Sequence, residues 1–326
     1  MTRIAVLGCG SIGQRHLRNL RALGLADLDA VDPDPIRRGQ AEALGVRTHA
    51  DPATALRAEP DAVFVCTPPA LHASGLRSAL DAGADVFVEK PLASSLEGID
   101  ELLARAERDR RVVMVGYNLR FDAALRALRA SLERGDVGRA LLVRAEFGQY
   151  LPDWRPSQDW RAGYNASAAL GGGVLLDQSH EIDEVRWLAG EVRSVSATAE
   201  RSGELGIEVE DLALLVLRLE SGAIASVQLD SVRRDYARGC LVIGSEGTLE
   251  WTLRGGARVK RAGDDEWTLL APASDPNEMY VAEARHFLER MRDRGRPEVD
   301  GAEGRRVLEI ALAAKRAAVE RREIAV

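Results

Sequence analysis

Residues 3–13 read RIAVLGCGSIG, a short apolar run that ends in the pattern G-x-G-x-x-G. An amphipathic stretch follows, so the segment predicts a strand, a tight turn and then a helix. In a dinucleotide-binding βαβ unit, Gly8 allows the turn, Gly10 lets the backbone approach a pyrophosphate, and Gly13 lets the helix pack closely on the strand. A strand-to-helix turn without a ligand is the alternative for such a pattern.

Two further features favour a bound dinucleotide. The N–H groups of Ser11 and Ile12 open the predicted helix, where the positive end of the helix dipole attracts phosphate groups. A second predicted strand ends at Asp32, about 20 residues after the glycines, where a ribose-binding acid is expected. Its carboxylate accepts hydrogen bonds from ribose hydroxyls and repels a 2′-phosphate, which favours NAD over NADP. Arg37 and Arg38 follow closely and can compensate, so NADP stays open.

The composition is that of an ordinary globular protein of about two domains. The chain has 326 residues, of which 46% are hydrophobic and 29% are charged. The formal net charge is -7 and no basic block stands out, which argues against a nucleic-acid partner. Cys9, Cys66 and Cys240 lie far apart without a C-x-x-C pair, which argues against a disulfide framework or a metal site.

The sequence also argues against a membrane protein. No apolar run approaches the ~18 residues of a membrane span. The first predicted strand begins close to Met1, which leaves no room for a signal peptide. We therefore expect a cytoplasmic protein.

The first part of the chain alternates short apolar runs with helical patterns, as a parallel α/β sheet does. Strands are predicted at 3–7, 28–31, 46–48, 62–66, 85–88 and 112–115, with helices near 12–23, 36–44, 70–82 and 95–109. We therefore predict a doubly wound Rossmann domain over residues 1–120, with its ligand at the carboxyl ends of the strands.

The pattern changes in the second part of the chain, over residues 121–326. Longer strands joined by short glycine turns indicate a large, mostly antiparallel, open sheet. Helices are predicted near 122–134, 174–189, 277–293 and 302–322, and the last one is a candidate to pack back onto the first domain. We predict an α+β domain that binds the substrate.

Polar residues follow the fourth and fifth predicted strands, at the edge where the cofactor is expected. Thr67 and Pro68 lie in a loop that prolines stiffen, and Thr67 or His72 can bond a ribose or a phosphate. An ordinary first-turn helix residue is the alternative for His72. Glu89 and Lys90 follow the fifth strand and are also expected to contact the cofactor. A lysine ammonium has three donors, so Lys90 can hold a substrate hydroxyl and a nicotinamide carboxamide together.

The run GGGVLLDQSHEID at 171–183 carries a candidate acid–base pair. Asp177 and His180 are three residues apart on the helix predicted at 174–189, so they share one face. A nearby carboxylate raises the basicity of a histidine and fixes its tautomer. We therefore expect His180 to take the proton from a substrate hydroxyl, with Asp177 as its orienting group.

Side chains suited to a polyhydroxylated ligand surround these motifs. A polar and aromatic loop at 149–170 offers flat faces and hydrogen-bonding groups, namely Trp154, Trp160, Tyr164 and Asn165. The alternative is that the two tryptophans simply anchor a long loop. Asn118 and Arg120 follow the sixth predicted strand and can line the same pocket.

Five motifs together resemble one known family. They are GCGSIGQRH at 8–16, CTPPALH at 66–72, EKP at 89–91, GYNLRF at 116–121 and GGGVLLDQSHEID at 171–183. Their order and spacing are similar to those of the glucose–fructose oxidoreductase / inositol dehydrogenase (Gfo/Idh/MocA) family. The resemblance implies NAD(P)-dependent oxidation or reduction of a sugar, aminosugar, sugar nucleotide or cyclitol.

The resemblance also assigns roles to residues. It implies that Lys90 contacts both substrate and nicotinamide, and that His180 is the base. The family aspartate usually lies four positions before this histidine, whereas Asp177 lies three before it and Leu176 occupies the usual place. A homodimer or homotetramer through the C-terminal sheet is implied as well.

Two other functions stay open at this point. Some relatives keep NAD tightly bound and use a transient oxidation for epimerisation, elimination or glycoside cleavage, with the same residues. A non-enzymatic NAD-binding or sugar-sensing protein is a third possibility, against which the intact Lys90 and His180 argue.

Overall fold

The computed structural model describes residues 2–154 and 159–326. Contacts among these residues separate into two compact units that are interleaved along the chain. The first unit takes in the chain up to Tyr117 together with Tyr280–Leu308. The second consists of Asn118–Met279 and Glu309–Val326.

The first unit is built on a parallel sheet. Within the described residues its strands are β1 Arg3–Leu7, β2 Asp27–Val31, β3 Arg47–His49, β4 Ala62–Val65, β5 Asp85–Glu89 and β6 Val113–Gly116. The order is β3-β2-β1-β4-β5-β6, and neighbouring strands are parallel throughout. This is the doubly wound order of a Rossmann fold, so the predicted fold class of this part is confirmed.

Helices connect these strands. They are α1 Ser11–Ala22, α2 Pro35–Glu42, α3 Pro52–Leu56, α4 His72–Asp81 and α5 Ile99–Arg108. The sequence patterns did not predict α3, a short helix capped by the side chain of Asp51, which accepts the N–H of Ala53. Helix α4 begins later than predicted because a 3-10 turn over Pro69–Leu71 precedes it.

The compact units depart from the predicted division into 1–120 and 121–326, because Tyr280–Leu308 belongs to the first unit. Aromatic packing explains why this late segment belongs to the first unit. Phe64 and Phe87 stack with ring centroids 4.7 Å apart, and Phe287 packs edge-on against both, at 5.4 and 5.7 Å. Arg294 adds an ion pair to the buried Asp85, at 2.8 Å.

The second unit is built on a larger sheet. Within the part of the chain that is described, its strands are β7 Ala140–Gly148, β8 Val192–Glu200, β9 Leu212–Leu219, β10 Ile224–Asp230, β11 Ala237–Gly244, β12 Gly247–Thr252, β13 Gly256–Arg261, β14 Thr268–Ala271 and β15 Ile324–Ala325. The order is β14-β13-β12-β11-β7-β10-β9-β8-β15. Strand β10 pairs with β7 in parallel, and the other neighbouring pairs are antiparallel. The predicted mostly antiparallel sheet is therefore confirmed.

Two of the helices that follow Tyr117 pack on this sheet. The remaining helices of the chain, within the described residues, are α6 Ala123–Glu133, α7 Leu151–Trp154, α8 Val174–Asp177, α9 His180–Ala189, α10 Pro276–Asp293 and α11 Gly301–Glu320. Helix α6 packs on β12, β13 and β14, and α9 packs on β7 and β10. Residues of β9 alternate between buried and exposed, as expected for a sheet with one covered face.

One predicted helix is wrong in a way that matters for the site. The helix predicted over 174–189 is interrupted at Gln178 and Ser179, so Asp177 ends α8 and His180 begins α9. Tertiary hydrogen bonds compensate for the interruption: the amide of Gln178 donates to the carbonyl of Asp230 and to the hydroxyl of Ser231, both at 3.2 Å. The argument that Asp177 and His180 share one helical face therefore does not hold.

Candidate active site

The glycine loop has the backbone geometry that the motif predicts. Gly8 has φ +94°, and a Cβ there would lie 2.6 Å from the carbonyl oxygen of Cys66. A Cβ on Gly13 would lie 1.9 Å from the carbonyl oxygen of Gly8. At Gly10, by contrast, a Cβ would meet no described atom within 4 Å. The loop therefore presents open space beside Gly10, at the start of α1, where a pyrophosphate fits.

Asp32 lies beside this loop, directly after β2. Its side chain is 3% exposed, with Oδ2 accepting the N–H of Cys9 at 2.8 Å and Oδ1 accepting the N–H of Asp34 at 2.9 Å. Each carboxylate oxygen has a second lone pair, so ribose hydroxyls can still bond to it. Arg37 is near, with Nη1 3.7 Å from Oδ2, and Arg38 donates to the carbonyl of Asp32 at 2.8 Å.

The three cysteines are packing residues. Cys9, Cys66 and Cys240 are buried. Burial, together with the charge of Asp32, raises the pKa of the Cys9 thiol to about 12. Burial likewise raises the pKa values of Cys66 and Cys240 well above the usual range. These thiols stay protonated at neutral pH, which excludes them as nucleophiles.

Thr67 supplies a hydroxyl that suits the predicted cofactor. It follows β4, next to Pro68, at the same sheet edge as the glycine loop. Within residues 2–154 and 159–326, no hydrogen-bond partner faces its buried Oγ1. A buried hydroxyl without a partner is costly, so this atom marks a place where a ligand would be bonded. The glycine loop, Asp32 and Thr67 together fit a dinucleotide.

His72 and Glu89 differ from their predicted role as cofactor ligands. His72 is 1% exposed, and its ring nitrogens each lie 2.7 Å from a backbone carbonyl oxygen, Nδ1 from that of Pro91 and Nε2 from that of Thr67. Glu89 is 7% exposed and bonds the ring of the buried His16 at 2.7 Å. Both side chains are engaged inside the first unit, so neither is directed to a ribose or a phosphate.

Lys90 is the first residue after β5, at the carboxyl edge of the parallel sheet. Its backbone N–H donates to Oε2 of Glu89 at 3.2 Å. A buried acid that the sequence reasoning missed, Glu283 of α10, lies in the same unit. Burial, with the charge of Glu89 nearby, raises the pKa of Glu283 well above its usual range. Nothing in the local sequence around Glu283 signals this burial.

In the second unit the structure brings Tyr164, Asn165 and Asp177 together. Asp177 is 6% exposed, and its Oδ1 accepts the hydroxyl of Tyr164 at 2.6 Å. Its Oδ2 accepts the amide of Asn165. The glycines before α8 allow this approach, because a Cβ on Gly172 would lie 2.3 Å from the carbonyl oxygen of Tyr164. The three predicted site residues thus form one hydrogen-bonded group. His180, three residues after Asp177, is 7% exposed.

Arg120 and Asn118, which the sequence predicts as substrate ligands, are both buried. Arg120 is 4% exposed, and its guanidinium pairs with both oxygens of Asp183, at 2.9 and 2.6 Å. Asn118 is 2% exposed. Because Asp183 lies one turn after His180 on α9, the ion pair fixes this helix to the segment that contains Arg120. A structural role for Arg120 replaces the predicted ligand role.

The tryptophans of the long loop are held by backbone carbonyls. The indole N–H of Trp154 donates to Gln149 at 3.2 Å, and that of Trp160 donates to Leu205 at 3.4 Å. These contacts favour the alternative in which both rings anchor the loop. Residues 155–158 of this loop lie outside the described residues.

Glu210 is a further residue of the second unit that the sequence reasoning missed. A Cβ on Gly173 would lie 2.4 Å from its Oε1, so the carboxylate packs directly on the glycine turn. The same oxygen accepts the N–H of Leu175 and pairs with Lys315, at 3.4 and 3.3 Å. These partners are far apart in sequence, and no local pattern could have indicated them.

Among the described residues, no group of three or more His, Cys, Asp or Glu side chains is arranged to hold a metal ion. In the same part of the chain, no helix combines the length and apolar character needed to cross a membrane.

Comparison with known proteins identifies the family. Residues 2–117 match the model described as oxidoreductase family, NAD-binding Rossmann fold, and residues 125–250 match the GFO/IDH/MocA C-terminal domain. The myo-inositol 2-dehydrogenase of Thermotoga maritima is 29% identical over 99% of this chain and 98% of its own length. The 1,5-anhydro-D-fructose reductase of Ensifer adhaerens is 31% identical over 79% of this chain and 77% of its own length.

The fold is shared with solved structures. A levoglucosan dehydrogenase in complex with NADH and levoglucosan superposes with a TM-score of 0.89, covering 100% of this chain and 99% of the other, at 21% sequence identity. At that identity the likeness shows the fold alone. The family matches and the parallel and antiparallel sheets agree with the resemblance found in the sequence. The chain belongs to the GFO/IDH/MocA family of NAD(P)-dependent oxidoreductases.

Proposed function

We propose that this chain is an NAD-dependent dehydrogenase or reductase that interconverts a secondary hydroxyl and a ketone on a sugar or cyclitol. The observation that carries the proposal is the presence of two titratable groups, Lys90 directly after β5 and His180 at the start of α9. Two relatives that act on a cyclitol and on an anhydro sugar, by their names, support this substrate class.

Each group has a distinct task in the proposed reaction. His180 takes the proton of the substrate hydroxyl during oxidation and returns it during reduction. Lys90 donates a hydrogen bond to a substrate oxygen and stabilises the charge that develops on it. A bound NAD would supply the acceptor for the hydride that leaves the substrate carbon as the alcohol is oxidised to a ketone.

Asp177 is proposed to be a substrate ligand held in place by its neighbours. Tyr164 and Asn165 each donate one hydrogen bond to it, one per oxygen. The carboxylate has lone pairs left, so it can accept a hydroxyl of a polyol or bond the ring of His180. Substrates with several hydroxyls are favoured over simple alcohols for this reason.

NAD is proposed as the cofactor in preference to NADP because of Asp32. Its buried carboxylate lies at the place where a 2′-phosphate would add negative charge. Arg37 is half-exposed and lies next to this carboxylate, so it partly offsets the repulsion. A kcat/KM ratio that favours NADP over NAD would contradict the assignment.

A homo-oligomer through the outer face of the C-terminal sheet is also proposed. Ile224, Leu142 and Ile243 lie in register across β10, β7 and β11, and they are 41%, 37% and 38% exposed. On β9, Arg218 is next in this register, and Val216 and Leu214 lie two and four residues before it at 47% and 59% exposure. Exposed apolar side chains on neighbouring strands support a subunit interface here, and a second copy of the chain would cover them. Light scattering should show an oligomer that Leu214→Lys with Ile224→Lys dissociates.

The experiment that tests the reaction is a screen of sugars, cyclitols, uronates and sugar nucleotides with NAD and NADP, read as NADH absorbance. We expect net NADH formation with at least one polyol, and Lys90→Ala and His180→Ala should each abolish it while NADH still binds. Lys260→Ala is the matched control, because Lys260 lies on β13 and its ammonium donates to the carbonyl of Asp265. Full activity of the Lys90 or His180 variant would refute the roles. Turnover of substrate without NADH formation would indicate transient oxidation instead.

A further inference from the structure

Two loops of the first unit leave neighbouring strands of the sheet at the same edge. Strands β4 and β5 are parallel neighbours, with Val65 paired to Val88. The loop after β4 contains Thr67, and the turn after β5 contains Lys90 and Pro91. Under the proposed function the first loop faces the cofactor and the second carries the group that bonds the substrate oxygen. Their spacing therefore matters for the reaction.

Backbone donors are scarce where the two loops meet. Pro68, Pro69 and Pro91 have no N–H group, so the peptide units there accept hydrogen bonds more than they donate them. The carbonyl oxygens of Thr67 and Pro91 consequently need a donor from a side chain.

His72 supplies that donor from the first turn of α4. Its Nδ1 lies 2.7 Å from the carbonyl oxygen of Pro91, and its Nε2 lies 2.7 Å from that of Thr67. The ring is 1% exposed, so water does not compete for these bonds. A neutral imidazole has one N–H and donates to one carbonyl at a time, whereas an imidazolium donates to both. Burial is the largest cause that lowers the pKa of His72; the two carbonyl contacts and the charge of Glu89 act against it, and the charge of Lys90 adds to it. The ring is therefore neutral at neutral pH, and its single N–H serves one of the two carbonyls at a time.

We propose that His72 is a positioning residue that sets the distance between the Thr67 loop and the Lys90–Pro91 turn. This inference rests on the proposed function, since it assigns the two loops to cofactor and substrate. His72 touches neither ligand. It acts through the carbonyls of Thr67 and Pro91, which stand next to the groups that do.

Two amide variants separate the two bonds. The side-chain nitrogen of Asn stands at the distance of ring Nδ1, and that of Gln stands at the distance of ring Nε2. His72→Asn therefore keeps the bond to Pro91 and loses the bond to Thr67, while His72→Gln does the reverse. We expect His72→Asn to weaken NADH binding about tenfold in a fluorescence titration and to leave kcat near the wild-type value. His72→Gln should keep the NADH affinity and lower kcat about tenfold.

A second readout does not depend on turnover. The chain has three lysines, Lys90, Lys260 and Lys315, so reductive methylation with ¹³C gives a simple NMR spectrum. The Lys90 signal is assigned by its loss in Lys90→Arg. In the NADH complex, His72→Gln should shift this signal, and His72→Asn should leave it in place.

Ser74→Ala is the matched control on the same helix. Ser74 is exposed and donates to the carbonyl of Leu71 at 2.9 Å, so this variant should leave both readouts unchanged. Circular dichroism and Tm are recorded for each variant. The positioning role is refuted if both His72 variants lose NADH affinity and shift the Lys90 signal equally. It is also refuted if both variants keep the wild-type NADH affinity and the wild-type Lys90 signal. Failure of every substrate in the screen would refute the proposed function, while the titration and the NMR spectrum still decide the role of His72.

Discussion

His16 Nε2 lies 2.7 Å from Oε1 of Glu89, and the histidine is fully buried. The other oxygen of Glu89 accepts the backbone N–H of Lys90 at 3.2 Å. One carboxylate thus connects α1, the helix that follows the glycine loop, to the first residue after β5. The cofactor-binding turn and the proposed substrate-binding lysine share this buried support.

Glu89→Ala should destabilise the protein, because it leaves the buried ring of His16 facing a cavity and removes the acceptor of the Lys90 N–H. We expect the free energy of unfolding to fall by about 2–3 kcal/mol, measured by urea denaturation. Glu89→Gln keeps the shape and one acceptor oxygen, so it should lose less than half of that. Equal unfolding midpoints for Glu89→Ala and the wild-type protein would contradict the role of this carboxylate.

The glycine loop offers a test that separates folding from cofactor binding. Gly10→Ala should fold normally, because its Cβ would meet no described atom within 4 Å. The same methyl group would fill the space beside the start of α1, so NADH affinity should fall at least about tenfold in a fluorescence titration.

Gly13→Ala is the comparison variant, since its Cβ would lie 1.9 Å from a backbone oxygen. It should lower the Tm by several degrees or prevent folding. If Gly10→Ala binds NADH as tightly as the wild-type protein, the pyrophosphate does not lie beside Gly10.

The hydroxyl of Tyr164 should matter through Asp177. Tyr164→Phe removes a 2.6 Å hydrogen bond to a buried carboxylate, so the carboxylate gains freedom to rotate away from the substrate. We expect kcat/KM to fall about tenfold while NADH affinity and Tm stay near the wild-type values.

Tyr150→Phe serves as the control for this loss of a hydroxyl. Tyr150 packs under Arg234, with the guanidinium carbon 3.6 Å from the ring centroid, and the phenyl ring preserves that contact. A wild-type kcat/KM for Tyr164→Phe would show that Asp177 needs no support from the loop.

The sequence predicted the features that depend on local pattern. The glycine turn and the strand ends at Asp32 and Glu89 each combine a periodicity with a turn signal within about a dozen residues. For such features the backbone geometry and the residue type determine each other, as the φ of +94° at Gly8 illustrates.

The features that the sequence did not predict depend on partners far along the chain. Arg120 is buried because Asp183, 63 residues later, neutralises it. The interruption at Gln178 is stabilised by Asp230, 52 residues later. The contacts of His72 with the carbonyls of Thr67 and Pro91 depend on where the turn after β5 lies. No single-chain periodicity carries this information.

Glu184 of α9 should make the free energy of unfolding depend on pH, and a single substitution can measure this contribution. It is buried against β11, where the thiol of Cys240 donates a hydrogen bond to it. Burial is the largest cause that raises the pKa of this carboxyl to about 8 from an ordinary value of 4.5, and the nearby Glu181 adds to it. The folded protein therefore keeps a proton on Glu184 at neutral pH that the unfolded chain releases.

Because the folded state binds this proton more tightly, the contribution of Glu184 to stability is full below pH 4.5 and is lost as the pH rises to about 8. The loss is about 1.4 kcal/mol per pH unit in that window. The Gln side chain of Glu184→Gln cannot ionise. The free energy of unfolding of this variant should therefore increase relative to that of the wild-type protein as the pH rises from 5 to 8. Urea titrations at each pH measure this difference. A difference between the two proteins that stays constant over this range would show that Glu184 is already ionised in the fold.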